Sequence, residues 1–195
     1  MNPYKMSRMN CGFASVALII LLFCGCSASE TGSDENSVRK TAAFFDLDDW
    51  FQNEAKRLSV LDSVIRTITL DGRSETNSVA IADWKQELRP FIYSDINRAG
   101  WADRYAGDTI LSLEKKIRAI HYQALDEKLR VREIEIQFGV EGKVRRIEIA
   151  KKRKSLIVEN EQQLTYIPEE GYSLMNSQST PISNKQEMKI SVKWE

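Results

Sequence analysis

The chain has 195 residues, of which 42% are hydrophobic and 29% charged, the make-up of an ordinary globular protein with room for one core. Lys plus Arg and Asp plus Glu number 28 each, and only Lys5 and Arg8 precede Cys26, so the chain beyond that point carries 26 positive groups (28 less those two) against 28 negative. That balance gives no electrostatic support for nucleic-acid binding, which needs a concentrated basic face, and with Cys11, Cys24 and Cys26 all in the first 26 residues and His121 the single histidine, disulfides and thiolate or multi-histidine metal centres are excluded from the later chain.

Met1 to Asn10 holds Lys5 and Arg8 and no acid, and Phe13 to Phe23 (FASVALIILLF) is an unbroken apolar run. It has the length of a signal-peptide hydrophobic region and falls short of the roughly 20 residues that a permanent membrane span needs. The run ends in Phe23-Cys24-Gly25-Cys26, which resembles the bacterial lipobox, with Phe23 in place of the usual leucine and Cys24 as a less common small residue. The resemblance implies a signal peptide over residues 1–25, lipid such as palmitate on Cys26, and cleavage before it. A plain signal cut after Ala28, or an uncleaved anchor, is the competing expectation. Each buried acyl CH₂ contributes roughly 0.8 kcal/mol, so several chains on one cysteine anchor firmly. Ser27, with no Asp after the lipidated cysteine, implies the outer membrane by the same resemblance.

Residues 26–43 (after Cys26, SASETGSDENSVRKTAA) have the composition of a flexible linker, with a reach of roughly 20 Å as a random coil. Residues 44–195 read as a single domain. Asp46 to about Leu61 places Leu47, Trp50, Phe51, Ala55, Leu58 and Leu61 at spacings of three and four, behind an acidic start: an amphipathic helix. Val64 to Leu70 alternates weakly before the turn signal Asp71-Gly72, so a short hairpin or a loop is expected there, and Asp83 to Phe91 (DWKQELRPF) is a second helix that Pro90 kinks or ends.

From about Leu113 the pattern becomes one of strands. Leu129 to Phe138 alternates with a change of parity at Arg132-Glu133 that predicts a bulge, and Gly139 to Gly142 turns into Val144 to Ala150. Further strands are expected at Ser155–Val158, Gln163–Ile167 and Tyr172–Ser177, and the close sets Met188, Ile190, Val192 and Trp194 on one face. The expected fold class is therefore α+β, with two N-terminal helices packed on an antiparallel meander of about six strands. The order DLDDWF, DWKQELRPFIYSDIN, LTYIPEEGYSL and NSQ resembles uncharacterised lipoproteins of the Bacteroidota group and implies no activity.

Tyr93, Asp95, Asn97, Trp101 and Tyr105 combine polar groups and aromatics in an expected loop, the arrangement of a ligand site, although anchoring of that loop accounts for the same residues. Asp83, Glu87, Asp95 and Glu114 are the carboxylates available for acid–base or cation chemistry; the first also reads as a helix cap. His121 has no nucleophile motif to serve, and Lys151 to Lys154 is a basic run that suits either a solvated turn or anionic head groups. No catalytic residue, metal or cofactor is assigned.

The leading expectation is a lipid-anchored envelope protein that binds a partner protein or ligand without catalysis, its membrane contact made through the lipid and with no role for nucleic acid. The alternative is a hydrolase of an envelope polymer, which needs two carboxyl groups converging at roughly 5 to 9.5 Å. A structural assembly part, with the strand Met188–Trp194 buried against another chain, is the third.

Overall fold

The computed structural model describes residues 43–182 and 185–194. The expected signal peptide, Cys26 and nearly all of the expected linker lie outside them. Three helices, α1 (Leu47–Leu58), α2 (Trp84–Glu87) and α3 (Arg89–Ile92), accompany nine strands. These are β1 (Val64–Leu70), β2 (Arg73–Val79), β3 (Tyr105–Leu111), β4 (Ile117–Ala124), β5 (Val131–Phe138), β6 (Val144–Lys154), β7 (Glu159–Ile167), β8 (Gly171–Ser179) and β9 (Gln186–Trp194).

The expected α+β class is overturned: this is a mostly β fold. One antiparallel sheet runs β2-β1-β9-β8-β7-β6-β5-β4-β3, and two of the three helices are single turns of four residues. Of the two readings left open around Asp71-Gly72, hairpin or loop, the structure has the hairpin β1–β2, and these strands with β3 raise the number above the expected six or so. β2 (RSETNSV) and β3 (YAGDTIL) are the two edges of the sheet, and after Tyr105 every residue of β3 is exposed. An edge strand with both faces wet has no alternation for hydrophobic periodicity to register. β1 alternates only weakly, since just Val64 of its seven residues is buried, and it pairs with both β2 and β9.

The second expected helix is likewise corrected. The chain breaks at Leu88 (φ −83°, ψ 3°), and Pro90 lies in the first turn of α3, where its missing N–H leaves no bond unmade. Ser155–Val158 is no strand but the β6–β7 turn, closed by Ser155 N donating to Val158 O at 2.8 Å.

Other local readings match the structure. Asp46 caps α1, its carboxylate accepting from Asp49 N at 2.9 Å, and Leu47, Phe51, Ala55 and Leu58 form the buried stripe. The bulge falls at Arg132, which is skipped between the pairs Val131–Lys151 and Glu133–Ala150. Arg118 in β4 and Arg145 in β6 are skipped in the same way. The terminal strand β9 is interior to the sheet, its ladder completed by β1 on one side and β8 on the other; on its apolar face Val192 is buried, Ile190 and Trp194 are partly so, and Met188 stays exposed.

The register puts Tyr122, Ile134, Ile149, Leu164 and Leu174 in one cross-strand row, and Ile136, Ile147, Tyr166, Tyr172 and Val192 in the next. The helices lie over this face. Phe51 stacks on Phe91 at 4.8 Å and meets the Tyr166 ring edge-on at 5.1 Å, while Phe91 approaches Tyr172 at 5.8 Å and Trp84 approaches Trp194 at 5.5 Å. Each of these rings is fully or largely buried, a contribution of about 1.5–3 kcal/mol for a side chain such as Phe51. The core is therefore filled with aromatic side chains.

Candidate functional site

The loop that follows α3 is committed to the fold. Asp95 Oδ2 accepts from Leu47 N at 2.9 Å and from Asp48 N at 3.4 Å, which satisfies donors at the start of α1 that the helix itself leaves unpaired. Asn97 Oδ1 accepts from Phe44 N at 3.0 Å, and its amide donates to Phe44 O and Phe45 O at 3.2 and 3.1 Å. Both side chains are buried. Tyr105 is buried too and donates to Val131 O at 3.0 Å. Trp101 packs on Tyr105, and the guanidinium groups of Arg98 and Arg104 lie over its ring at 4.8 and 5.7 Å from the centre. Of the five residues, Tyr93 alone is exposed, with Arg89 over its ring. The structure pairs Asp95 with Asn97 and Trp101 with Tyr105; the polar groups of Asp95 and Asn97 fasten the start of α1 and the chain before it, and the Tyr105 hydroxyl fastens the sheet.

The carboxylates are engaged one by one. Asp83 caps α2 through Gln86 N at 3.0 Å. Glu87 Oε1 accepts from Arg66 at 2.7 Å and from the Tyr172 hydroxyl. Glu114, largely exposed, pairs with Lys116 at 3.0 Å. A second Arg–Glu–Tyr set on α1 matches the one at Glu87: Glu54 holds Arg57 at 2.8 Å and the Tyr166 hydroxyl at 2.6 Å. Burial first, and then the neighbouring glutamate, pushes both phenols well above the ordinary tyrosine range. They stay protonated donors that clamp α1 and α2 to β7 and β8.

His121 lies on the sheet face opposite the helices, and Glu133 Oε1 is 2.6 Å from its Nε2. Glu133 is its side-chain partner among the described residues, and no nucleophile adjoins it to complete a catalytic arrangement. Among the same residues no group of three or more His, Cys, Asp or Glu side chains is placed to hold a metal ion.

Open surface suited to binding lies elsewhere. A groove of about 650 Å³ runs between the β3–β4 and β5–β6 hairpin ends, with Ile110, Leu113, Ile117, Phe138 and Val140 as its apolar lining and Glu135, Gln137 and Arg145 among its polar groups. Leu113 and Val140 stand almost wholly in solvent, at 105% and 91% exposure. The bulged residues Arg118 and Arg145 border it, and the added local twist of a bulge re-aims the hairpin ends. Periodicity overlooks this surface because its aliphatic residues occupy turns and edges. The available signal was an aliphatic residue inside a turn, as in Ser112-Leu113-Glu114 and Gly139-Val140-Glu141, where turn chemistry favours small or polar side chains.

Among the described residues no helix is long and apolar enough to cross a membrane. No protein-family model matches the chain, and no curated protein matches it in sequence.

Proposed function

We propose that this is a lipid-anchored protein of the bacterial cell envelope that works as a non-enzymatic interaction module, and that its partner is a protein supplying an extended segment to the free edge of β3. The observation that carries the reading is the groove of about 650 Å³ beside an open sheet edge. An edge strand offers unpaired backbone donors and acceptors, and a partner strand added there gains ladder hydrogen bonds while its side chains enter neighbouring pockets. The two edges differ in a way that favours β3. β2 presents Arg73 and Glu75 with no large apolar side chain before Val79, whereas β3 ends in exposed Ile110 and Leu111 next to Leu113 and Ile117. The filled aromatic core and the committed polar groups of the 93–105 loop leave those regions little to offer a ligand.

Two measurements test the two halves. Intact-mass analysis from membranes of the native host should find a chain beginning at an acylated Cys26, lost in Cys26→Ala; an unmodified chain beginning after Ala28 would overturn the anchor. Site-specific photocrosslinking from Ile110 should give a discrete protein adduct that Ile117→Glu abolishes, while the same probe at Glu75 on β2 gives none. Equal adducts from both edges, or none from either, would overturn strand addition at β3.

A further inference from the structure

Because neighbouring strands are antiparallel, the β4–β5, β6–β7 and β8–β9 turns all lie at one end of the sheet, opposite the groove. Each presents aliphatic side chains that nothing in the fold covers: Leu125 at 65% exposure, Leu156 at 99% with Ile157 at 71%, and Ile182 at 98%. Cations flank the first two turns. Lys128 and Arg130 follow Leu125, and Arg153 and Lys154 end β6 just before Leu156; among the described residues none of the four has a carboxylate at ion-pairing distance. Nearby acids are shared: Asp126 pairs with Arg104 at 3.1 Å and also attracts Lys128, Glu159 and Glu161 pair with Lys152 at 2.5 and 2.8 Å while Glu159 also faces Lys154 across the ladder, and Glu127 and Asp71 are further acids at this end.

Leu113 and Val140 are as exposed at the opposite end, where Glu114 pairs with Lys116 and Glu141 with Lys143 at 2.7 Å, and where Lys115, Arg118 and Arg145 are cations without an ion pair among the described residues. What distinguishes the β4–β5 and β6–β7 end is that, with its aliphatic tips on separate turns, Lys128, Arg130, Lys152, Arg153 and Lys154 gather around one shared hollow. Aliphatic groups on separate protruding turns address a plane better than a pocket, and a bilayer interface takes apolar side chains roughly 5–10 Å into its head-group boundary while anionic lipids hold Lys and Arg.

We propose that this end of the sheet docks on an anionic phospholipid surface, with Leu156 and Ile157 entering the head-group boundary and Lys128, Arg130, Arg153 and Lys154 meeting lipid phosphates. The contact is separate from any lipid on Cys26 and from the β3 edge, and it sets the domain's orientation with the groove directed away from the membrane.

The test uses a chain beginning at Ser27, without lipid; every core residue named above lies between Phe44 and Trp194, so the core is retained. Co-sedimentation is measured with phosphatidylcholine vesicles and with vesicles of phosphatidylcholine mixed with phosphatidylglycerol. Binding is expected to the anionic vesicles alone and to weaken with salt. It should fall roughly tenfold in Leu156→Ser with Ile157→Ser, and again in Arg153→Glu with Lys154→Glu. Leu113→Ser with Val140→Ser, at the other end, should bind as the parent does. Equal binding to neutral vesicles, no binding to anionic ones, or equal loss from the Leu113 and Val140 changes would overturn the proposal. Binding to a soluble polyanion with no dependence on Leu156 and Ile157 would do the same.

Discussion

Lys151 offers a quantitative test of how the basic run is built into the fold. It is the third inward-facing residue of β6 after Ile147 and Ile149, 8% exposed, and its Nζ donates to Pro90 O of α3 at 2.6 Å. Burial, with Arg130 adding to it, lowers its ammonium from 10.5 to about 8. Below that value both folded and unfolded chains hold the proton, and at about 1.4 kcal/mol per pH unit the folded state bears a cost of about 3 kcal/mol near pH 7. Between about pH 8 and 10.5 the unfolded chain keeps a proton that the folded chain has released, so stability rises with pH and the cost disappears. Lys151→Met should remove that cost at neutral pH. It also removes the bond to Pro90, worth about 1 kcal/mol net, but leaves no orphaned carbonyl, because Ser94 Oγ still donates to Pro90 O at 2.7 Å. The expected net gain is about 2 kcal/mol, or roughly 4–8 °C in Tm for a domain of this size. Urea denaturation of both chains near pH 7 and again near pH 10 is the assay, and the gap should close or reverse at the higher pH. A Met chain no more stable at pH 7, or a gap that does not change with pH, would refute the reasoning.

Two further outcomes follow from the same geometry. Asp95→Ala strips the buried acceptor from Leu47 N and from Asn97 N (2.7 Å), so a loss of about 2–4 kcal/mol is expected in denaturant unfolding, with amide exchange accelerated at the start of α1. A loss under about 0.5 kcal/mol would show the clamp to be dispensable. Gly171 sits at φ +146°, and a Cβ there would stand 1.9 Å from Val192 O; Gly171→Ala should lower stability by about 2–4 kcal/mol, whereas Gly142→Ala, with open space around it, should cost less than half as much by the same measurement.

How much could be read from the residues alone depended on whether a feature was local. The cap at Asp46, the stripe Leu47-Phe51-Ala55-Leu58, the turn at Gly139–Gly142 and the bulge at Arg132 were legible because each is set within a few residues by capping, periodicity or a break in alternation. The β3 edge was not, and β2 only as one of two alternatives after the turn signal Asp71-Gly72, since a strand wet on both faces is defined by its neighbour's hydrogen bonds and not by its own pattern. Asp95 and Asn97 illustrate the same division. Their chemistry was recognisable as that of groups that bind something, but their partners, Leu47 and Phe44, lie 48 and 53 positions away, and only the packed chain shows that what they bind is the protein itself. The groove and the cationic tips were settled by strand order alone, because antiparallel pairing gathers turns far apart in sequence at two ends of one sheet. The sequence by itself determined the main helix, a contiguous signal, and carries the expectation of an export leader and of acylation at Cys26; tertiary structure decided the mostly β class and the groove, which exist only once distant segments meet.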